Sequence, residues 1–255
     1  FLLYLLKFRY NQTMLQKLKN LLLDAIFPQF CVNCGKEGNI ICYDCLFIIE
    51  INPFQYCPFC AIPKRVFKKG KCSSHKGMRL NGVFSAASYK NELIKKLIAS
   101  FKYKPFLKTL AKPLTFLIVA HFLLTENNIL QEKKENSFFL PIPLYGWRER
   151  ERGFNQSALI AKELSVFFKI PLQLNNLIKI KKTQPQVGLE KIKREKNVKN
   201  AFMIKKAQKI KKKIIFLVDD VYTTGSTMEE CARILKLAGA KEVWGIVVAR
   251  EPLHN

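Results

Sequence analysis

Lys213-Ile-Ile-Phe-Leu-Val-Asp-Asp-Val-Tyr-Thr-Thr-Gly-Ser-Thr-Met228 is the stretch whose reading decides the fold. Ile214 to Val218 is a short, unbroken apolar run. A strand that is apolar on both faces must be covered on both. The run therefore predicts a central parallel strand with helices on either side, in an α/β fold. Asp219 and Asp220 follow at its C-terminal edge, where open α/β sheets bind ligands, and Asp220 and Thr224 are expected to be exposed there. Thr223, Thr224, Gly225, Ser226 and Thr227 come next, small and rich in hydroxyls. A helix from about Ser226 to Ala238 should follow, ended by Gly239. A small loop opening a helix offers backbone N–H groups and the positive end of the helix dipole to a phosphate. The two carboxylates beside it can accept hydrogen bonds from a ribose diol, so the stretch describes a sugar-phosphate site. A Walker loop is excluded, because Ser226 rather than Lys follows the glycine. A dinucleotide fingerprint is excluded too, because it needs three spaced glycines.

Upstream, Ser137-Phe-Phe-Leu-Pro-Ile-Pro-Leu144 reads as another strand and its exit, ended by two prolines. Arg148, Arg150 and Arg152 then alternate through a segment expected at that strand's C-terminal edge. Three guanidinium groups there can grip a pyrophosphate through bidentate hydrogen bonds. The competing reading is a mixed-charge loop in which Glu149 and Glu151 are their partners. Gly82 to Tyr89 predicts a strand, and Asn91 can cap a helix through Leu93, Ile94, Leu97 and Ile98. Phe106 to Leu124 predicts a second helix, buried against the sheet. Thr125 to Asn136 is polar and reads as an exposed loop. Asn155 or Gln156 should begin a helix, Leu177 to Ile180 a strand, and Leu189 to Val198 a basic helix. Lys181 to Gly188 fits a lid over a reactive site and equally an ordinary loop. Val243 to Ala249 is the last strand.

Seven of the eight cysteines fall between Cys31 and Cys72. Cys31-x-x-Cys34 is followed after seven residues by Cys42-x-x-Cys45, and Cys57-x-x-Cys60 after eleven by Cys72-x-x-His75. Each CxxC can form a knuckle whose backbone N–H groups face the thiolates, and two knuckles make a tetrahedral site. Paired in order they give a four-cysteine site and a three-cysteine, one-histidine site. Crossed pairing of the knuckles stays open, as does a reading of His75 as a surface histidine. Clustering in CxxC pairs argues for metal over disulfides and for a reducing cytoplasm.

The chain has 255 residues, 49% hydrophobic, with a formal net charge of +25. That length suits one large domain, or one domain and a smaller module. The positive charge reads either as a lysine-rich solvated surface or as a footprint for a polyanion, nucleic acid or an anionic membrane face. The apolar run from Phe1 to Phe8 is too short to span a bilayer. Residues 1–13 read as an upstream extension with the natural start at Met14, ahead of an amphipathic helix over Leu15 to Phe27.

Taken in order, the two knuckle pairs, Phe101-Lys-Tyr103, the Pro-Ile-Pro-Leu144 exit, Arg152-Gly-Phe-Asn-Gln156, Thr183-Gln-Pro-Gln186, Asn197-Val-Lys-Asn-Ala-Phe202 and the Asp219–Thr227 loop resemble the ComF family, which also takes in GntX-like proteins. The last loop alone resembles the phosphoribosyl pyrophosphate (PRPP) loop of type I phosphoribosyltransferases. Residues 1–27 read as an N-terminal extension and helix, and the resemblance, over roughly Leu15 to Arg250, implies a double zinc ribbon over residues 28–76. It implies a phosphoribosyltransferase-like parallel sheet flanked by helices over residues 82–255. The implied cofactors are two structural zinc ions, and Mg²⁺ accompanying PRPP. PRPP would place its 5′-phosphate on Thr223 to Thr227, its ribose hydroxyls on Asp219 and Asp220, and its pyrophosphate near Arg148 and Arg152. The implied role is natural transformation: handling incoming single-stranded DNA in the cytoplasm, with DNA-uptake machinery at the inner membrane face. Exposed aromatics such as Phe59 or Trp147 would stack on bases. The alternative is an active phosphoribosyltransferase acting on another acceptor. Purine-salvage members often hold a general-base Asp two residues before the loop glycine, where this chain has Thr223, so no catalytic base is assigned.

Overall fold

The computed structural model describes residues 28–60, 62–66, 70–183 and 196–251. The expected helix over Leu15 to Phe27, and most of the segment from Lys181 to Val198, lie outside them. The chain divides between Ile48 and Ile49 into two compact units. The second cysteine group thus belongs to the same unit as the sheet.

That sheet has four parallel strands, β1 (Gly82–Ser88), β2 (Ser137–Pro141), β5 (Ile214–Tyr222) and β6 (Glu242–Arg250), in the order β1-β6-β5-β2. β5 lies inside the sheet, and its residues Ile214 to Val218 are all buried. Alternation sends Ile215 and Leu217 into one core, with Val243 and Val247 of β6. Phe216 faces the other way and meets Phe139 of β2 at 5.8 Å between ring centroids.

The helices follow from their sequences. Asn91 accepts from the Ile94 N–H and opens α2 (Glu92–Lys102), whose apolar face is buried. The short α1 (Tyr43–Phe47) precedes it in the first unit. α3 (Ala111–Leu124) is apolar nearly all round and packs on β1 and β6, as such a helix must if it is not to face water. Among the described residues, no helix is long and apolar enough to cross a membrane. The stretch read as an exposed loop, Thr125 to Asn136, contains the short helix α4 (Ile129–Glu132). Two adjacent apolar side chains, Ile129 and Leu130, pin that otherwise polar stretch into the core. α5 (Gly146–Arg152) leads into α6 (Gln156–Phe168), which covers β2 and β5 beside α3.

Opposite, α7 (Ser226–Leu237) packs on β6 and on a two-stranded antiparallel sheet of β3 (Leu177–Lys179) and β4 (Phe202–Ile204). Gly245 of β6 permits the close approach, since a Cβ there would lie 2.3 Å from the Met228 sulfur. Gly239 ends α7 with φ +88°. Its own N–H returns to the Lys236 carbonyl, and that of Ala240 to Leu235, which satisfies the open end of the helix.

Candidate functional site

β5 carries Asp219 and Asp220 out of the core into a cleft of about 740 Å³ at the C-terminal edge of the sheet. Thr223, Gly225, Ser226 and Thr227 line the same cleft, and Gly225 is the N-cap of α7. Glycine has no side chain with which to cap the helix. A side chain would not fit there either, because φ is +79° and a Cβ would lie 2.1 Å from the Tyr222 hydroxyl oxygen. The Thr224 and Ser226 hydroxyls are 2.9 Å apart, which holds the turn closed on itself.

The two carboxylates differ in setting. Asp219 is partly buried; its Oδ1 accepts from the Ser157 hydroxyl at 2.8 Å and from the Asp220 N–H at 3.0 Å. Burial, and then the neighbouring Asp220 charge, push its pKa up to about 7. Asp220 is 2% exposed, where the sequence reading has it exposed. The reason is Lys102 at the end of α2, whose ammonium lies 2.8 Å from Asp220 Oδ1. Burial works against the charged lysine, yet Asp220 and then Asp219 outweigh it and hold its pKa above the usual range. Asp220 Oδ2 is buried with no hydrogen-bond partner among the described residues, leaving an acceptor open to a ligand.

The Arg152-Gly-Phe-Asn-Gln156 motif builds the facing wall. Gly153 ends α5 in the left-handed region, with φ +76°. Phe154 is buried against Phe101. Asn155 caps α6 by accepting from Ser157 and Ala158, while its amide donates to the Ile142 carbonyl beyond β2. That cap sets Ser157 in place to donate to Asp219. Arg152 in turn donates to the Gln156 side-chain oxygen.

The three arginines stand on a helix, not along an extended edge. Arg148 and Arg152, four residues apart, share a face and line the cleft. Arg150 lies about 200° round from Arg148 on a 3.6-residue helix; it is exposed and outside the lining.

Three contributors escaped the residue-by-residue reading: Lys102, Ser157 and Lys179. Lys102 sits inside the Phe101-Lys-Tyr103 motif, and Ser157 directly follows the Arg152–Gln156 motif. Lys179 carried no signal, being a lone lysine in a short strand. Its ammonium donates to Thr183 at 2.8 Å, and burial and then Arg148 lower its pKa. Lys102, Arg148, Arg152 and Lys179 thus surround a cleft whose opposite wall is a hydroxyl-rich helix start. Such a site suits a ligand with two separate phosphate groups joined by a polyol.

The cysteines gather as two groups, Cys31, Cys34, Cys42 and Cys45, and Cys57, Cys60, Cys72 and His75, so the knuckles pair in order. Within each group the ligand atoms all lie within 4.8 Å of one another. Zinc–sulfur bonds of about 2.3 Å in a tetrahedron put sulfurs about 3.8 Å apart. Cys34 and Cys42 Sγ are 3.6 Å apart, as are Cys60 and Cys72. His75 Nδ1 lies 3.6 Å from Cys57 and Cys60 and 3.2 Å from Cys72, so the imidazole points into its group. Both groups fit a tetrahedral metal ion. Phe59 packs against the core and against the His75 ring, at 5.6 Å between centroids, and is not displayed for base stacking. Trp147 is 48% exposed at the cleft rim.

The second group is bonded to the cleft's own framework. Arg250, at the end of β6, donates to the Cys57 and Pro58 carbonyls at 3.3 and 3.1 Å. Its guanidinium lies 5.9 Å from the Tyr222 ring, whose hydroxyl abuts Gly225. The Glu229 carboxylate, in the first turn of α7, accepts from the N–H groups of Arg79 and Leu80 at 2.6 and 3.0 Å.

Comparison with known proteins matches residues 152–253 to the phosphoribosyl transferase domain. The chain is 32% identical over 234 residues to competence protein F of Haemophilus influenzae, covering 86% of this chain and 96% of that one. It is 31% identical over 163 residues to DNA utilization protein YhgH of Salmonella typhimurium, covering 58% and 70%. It is 27% identical over 207 residues to competence protein ComFC of Bacillus subtilis, covering 78% and 79%.

Proposed function

This chain belongs to the ComF family of competence proteins, and we propose that it handles incoming single-stranded DNA in natural transformation while its phosphoribosyltransferase-like domain binds PRPP. The observation that carries the PRPP reading is the cleft at the end of β5, with paired carboxylates, a glycine-opened helix start and five cations, Lys102, Lys104, Arg148, Arg152 and Lys179. The 5′-phosphate sits on Thr223 to Thr227 and the ribose hydroxyls on Asp219 and Asp220. The pyrophosphate lies toward Arg148 and Arg152, joined by Lys102 and Lys179. The buried Asp220 Oδ2 gains a ribose hydroxyl as its donor. Mg²⁺ fits a site with few carboxylates and a polyphosphate, and when bound it supplies charge neutralisation at the pyrophosphate. Each cysteine group holds one structural zinc ion. The DNA reading rests on the relatives' names and on the net charge of +25. It places the protein in the cytoplasm, beside DNA-uptake machinery at the inner membrane face.

Calorimetry tests the cleft. Thr223→Ala with Thr224→Ala should weaken PRPP binding at least tenfold with little change in Tm, since both side chains are partly exposed. Unchanged affinity would remove the loop from the site.

A second reading, transfer of 5-phosphoribosyl from PRPP to an acceptor, is favoured by Arg148, Arg152 and Lys179, which line the cleft where pyrophosphate would leave. A nucleophile would bond to the anomeric carbon as the bond to the pyrophosphate oxygen breaks. Pyrophosphate release on mixing with candidate acceptors separates turnover from binding alone.

A further inference from the structure

Away from the cleft, the residues 205–213 hold six lysines and no acidic side chain. They lead directly into Ile214, the first residue of β5. Asp219 is five residue steps from Ile214 along that strand, about 17 Å at the usual rise of about 3.3 Å. The lysines therefore stand at the opposite end of β5 from the PRPP cleft. Lys205, Lys206 and Lys209 form one wall of a groove of about 430 Å³, and the segment from Leu172 to Asn176 forms the other. No residue is common to this groove and the cleft. None of the residues lining the groove is acidic, and all three lysines are exposed. No ion pair involves them among the described residues.

The groove is built, not a chance crease between mobile side chains. Asn176 is buried and bonds its two walls together. Its Oδ1 accepts from the Lys206 N–H at 2.8 Å, and its amide donates to the Lys206 carbonyl and to Gln173 at 3.3 Å each. Its backbone carbonyl accepts from the Lys205 N–H at 2.9 Å. The floor is thereby fixed while the lysine side chains stay free to meet an anion. Leu174 on the groove and Met203 on adjoining β4 are exposed, at 52% and 44%. Leu174 thus sets apolar surface beside the charge, against which an unpaired base can lie.

We propose that this lysine groove at the N-terminal end of β5 is where the protein holds the phosphates of a single DNA strand. PRPP and DNA then occupy opposite ends of one sheet and do not compete. This rests on the single-strand reading given above and adds its place on the molecule.

The test charge-reverses the groove in the full chain, as Lys205→Glu, Lys206→Glu and Lys209→Glu, with the three Lys→Gln changes as a milder second variant. Binding of a labelled oligo-dT strand is followed by fluorescence anisotropy across a salt series, and PRPP affinity by calorimetry serves as the control for folding. The charge-reversed variant should bind the strand at least tenfold more weakly at physiological salt. Its slope of log K against log salt should be shallower by about 2, from three contacts at about 0.7 each. PRPP affinity should be unchanged, and millimolar inorganic phosphate should not displace the strand from the wild type. A wild type that binds the strand, with both variants binding it equally well, overturns the placement while leaving the DNA function standing. A wild type that binds no oligo-dT sinks the DNA reading and this proposal with it. Displacement by inorganic phosphate alone, or equal affinity for duplex, would show a general anion surface and also overturn it.

Discussion

The two cysteine groups have nearly the same spacing but are held in different ways. In the first, the Cys31 N–H bonds to the Lys36 carbonyl, Gly35 returns to Cys31, and Asn33 donates to the Cys45 sulfur at 3.3 Å. These contacts span at most twelve residues, all in the unit that ends at Ile48. The contacts around the second group span from 33 to 193 residues of sequence. Arg250 reaches the Cys57 and Pro58 carbonyls. Glu229 holds Arg79 and Leu80, just past His75. Asn52 gives its amide to the Ser85 carbonyl of β1. Repeated spacing therefore specifies a repeated ligand set without specifying what the metal supports. A metal in the first group would organise its own ribbon. One in the second would also brace Arg250 at the end of β6 and, through it, Tyr222 at the end of β5, beside the loop proposed to take the phosphate.

The sharpest way to break this contrast is to remove one ligand from each group. Cys57→Ser should cost PRPP affinity at least tenfold, because losing the metal would loosen the knuckle whose Cys57 carbonyl anchors Arg250, and Arg250 backs Tyr222 behind Gly225. Cys34→Ser should release one equivalent of metal and leave PRPP affinity within about twofold, since metal binding and folding are coupled locally in a small metal site. Metal content and calorimetry on the same preparations decide it, and equal losses in the two variants would refute the contrast.

A smaller effect should follow from Glu229→Gln. The change keeps one acceptor oxygen but loses the charge that strengthens two backbone hydrogen bonds, which is worth about 1–2 kcal/mol. Thermal unfolding should register that loss while both metals stay bound. Release of zinc from Cys57, Cys60, Cys72 and His75 in this variant would show the group leaning on α7 even more than the geometry indicates.

A separate effect is a pH dependence confined to the sheet unit. Asp219 in the folded protein has its pKa raised to about 7 from 3.8, first by burial and then by Asp220. Below about pH 4 both folded and unfolded chains hold this proton, and the stabilisation is complete. Between about pH 4 and 7 the unfolded chain loses the proton first, so the stabilisation falls as pH rises and is gone above about 7. Asp219→Asn should abolish that slope, as measured by denaturant unfolding at several pH values. Metal bound through thiolates runs the other way, since acid protonates its ligands. Comparing each pH series against the variant separates the two trends.

Much of this protein can be read from short runs of sequence. The apolar run Ile214 to Val218 is a buried interior strand. Gly225 opens a helix and Gly239 closes it. Asn91 and Asn155 are caps. The CxxC pairs and Cys72-x-x-His75 form two four-ligand groups. In each case the deciding forces act within a few residues of chain, through alternation of side chains, backbone freedom at glycine or the bite of neighbouring ligands. What needed the tertiary structure was always a meeting of distant residues. Sequence adjacency sets Asp219 and Asp220 side by side. Only the sheet and its helices bring Lys102 to one and Ser157 to the other, burying Asp220 and leaving Asp219 to titrate high. The alternation of Arg148, Arg150 and Arg152 is plain in the sequence, but helical rather than extended backbone sends two of them to the cleft and one away. The lysine run from Lys205 to Lys213 is equally plain. Its place at the far end of β5, across a groove closed by Asn176, comes from strand direction and a buried amide that no local pattern encodes. Local chemistry names the parts, while strand order and register decide which side chains meet, because those depend on the packing of the whole core.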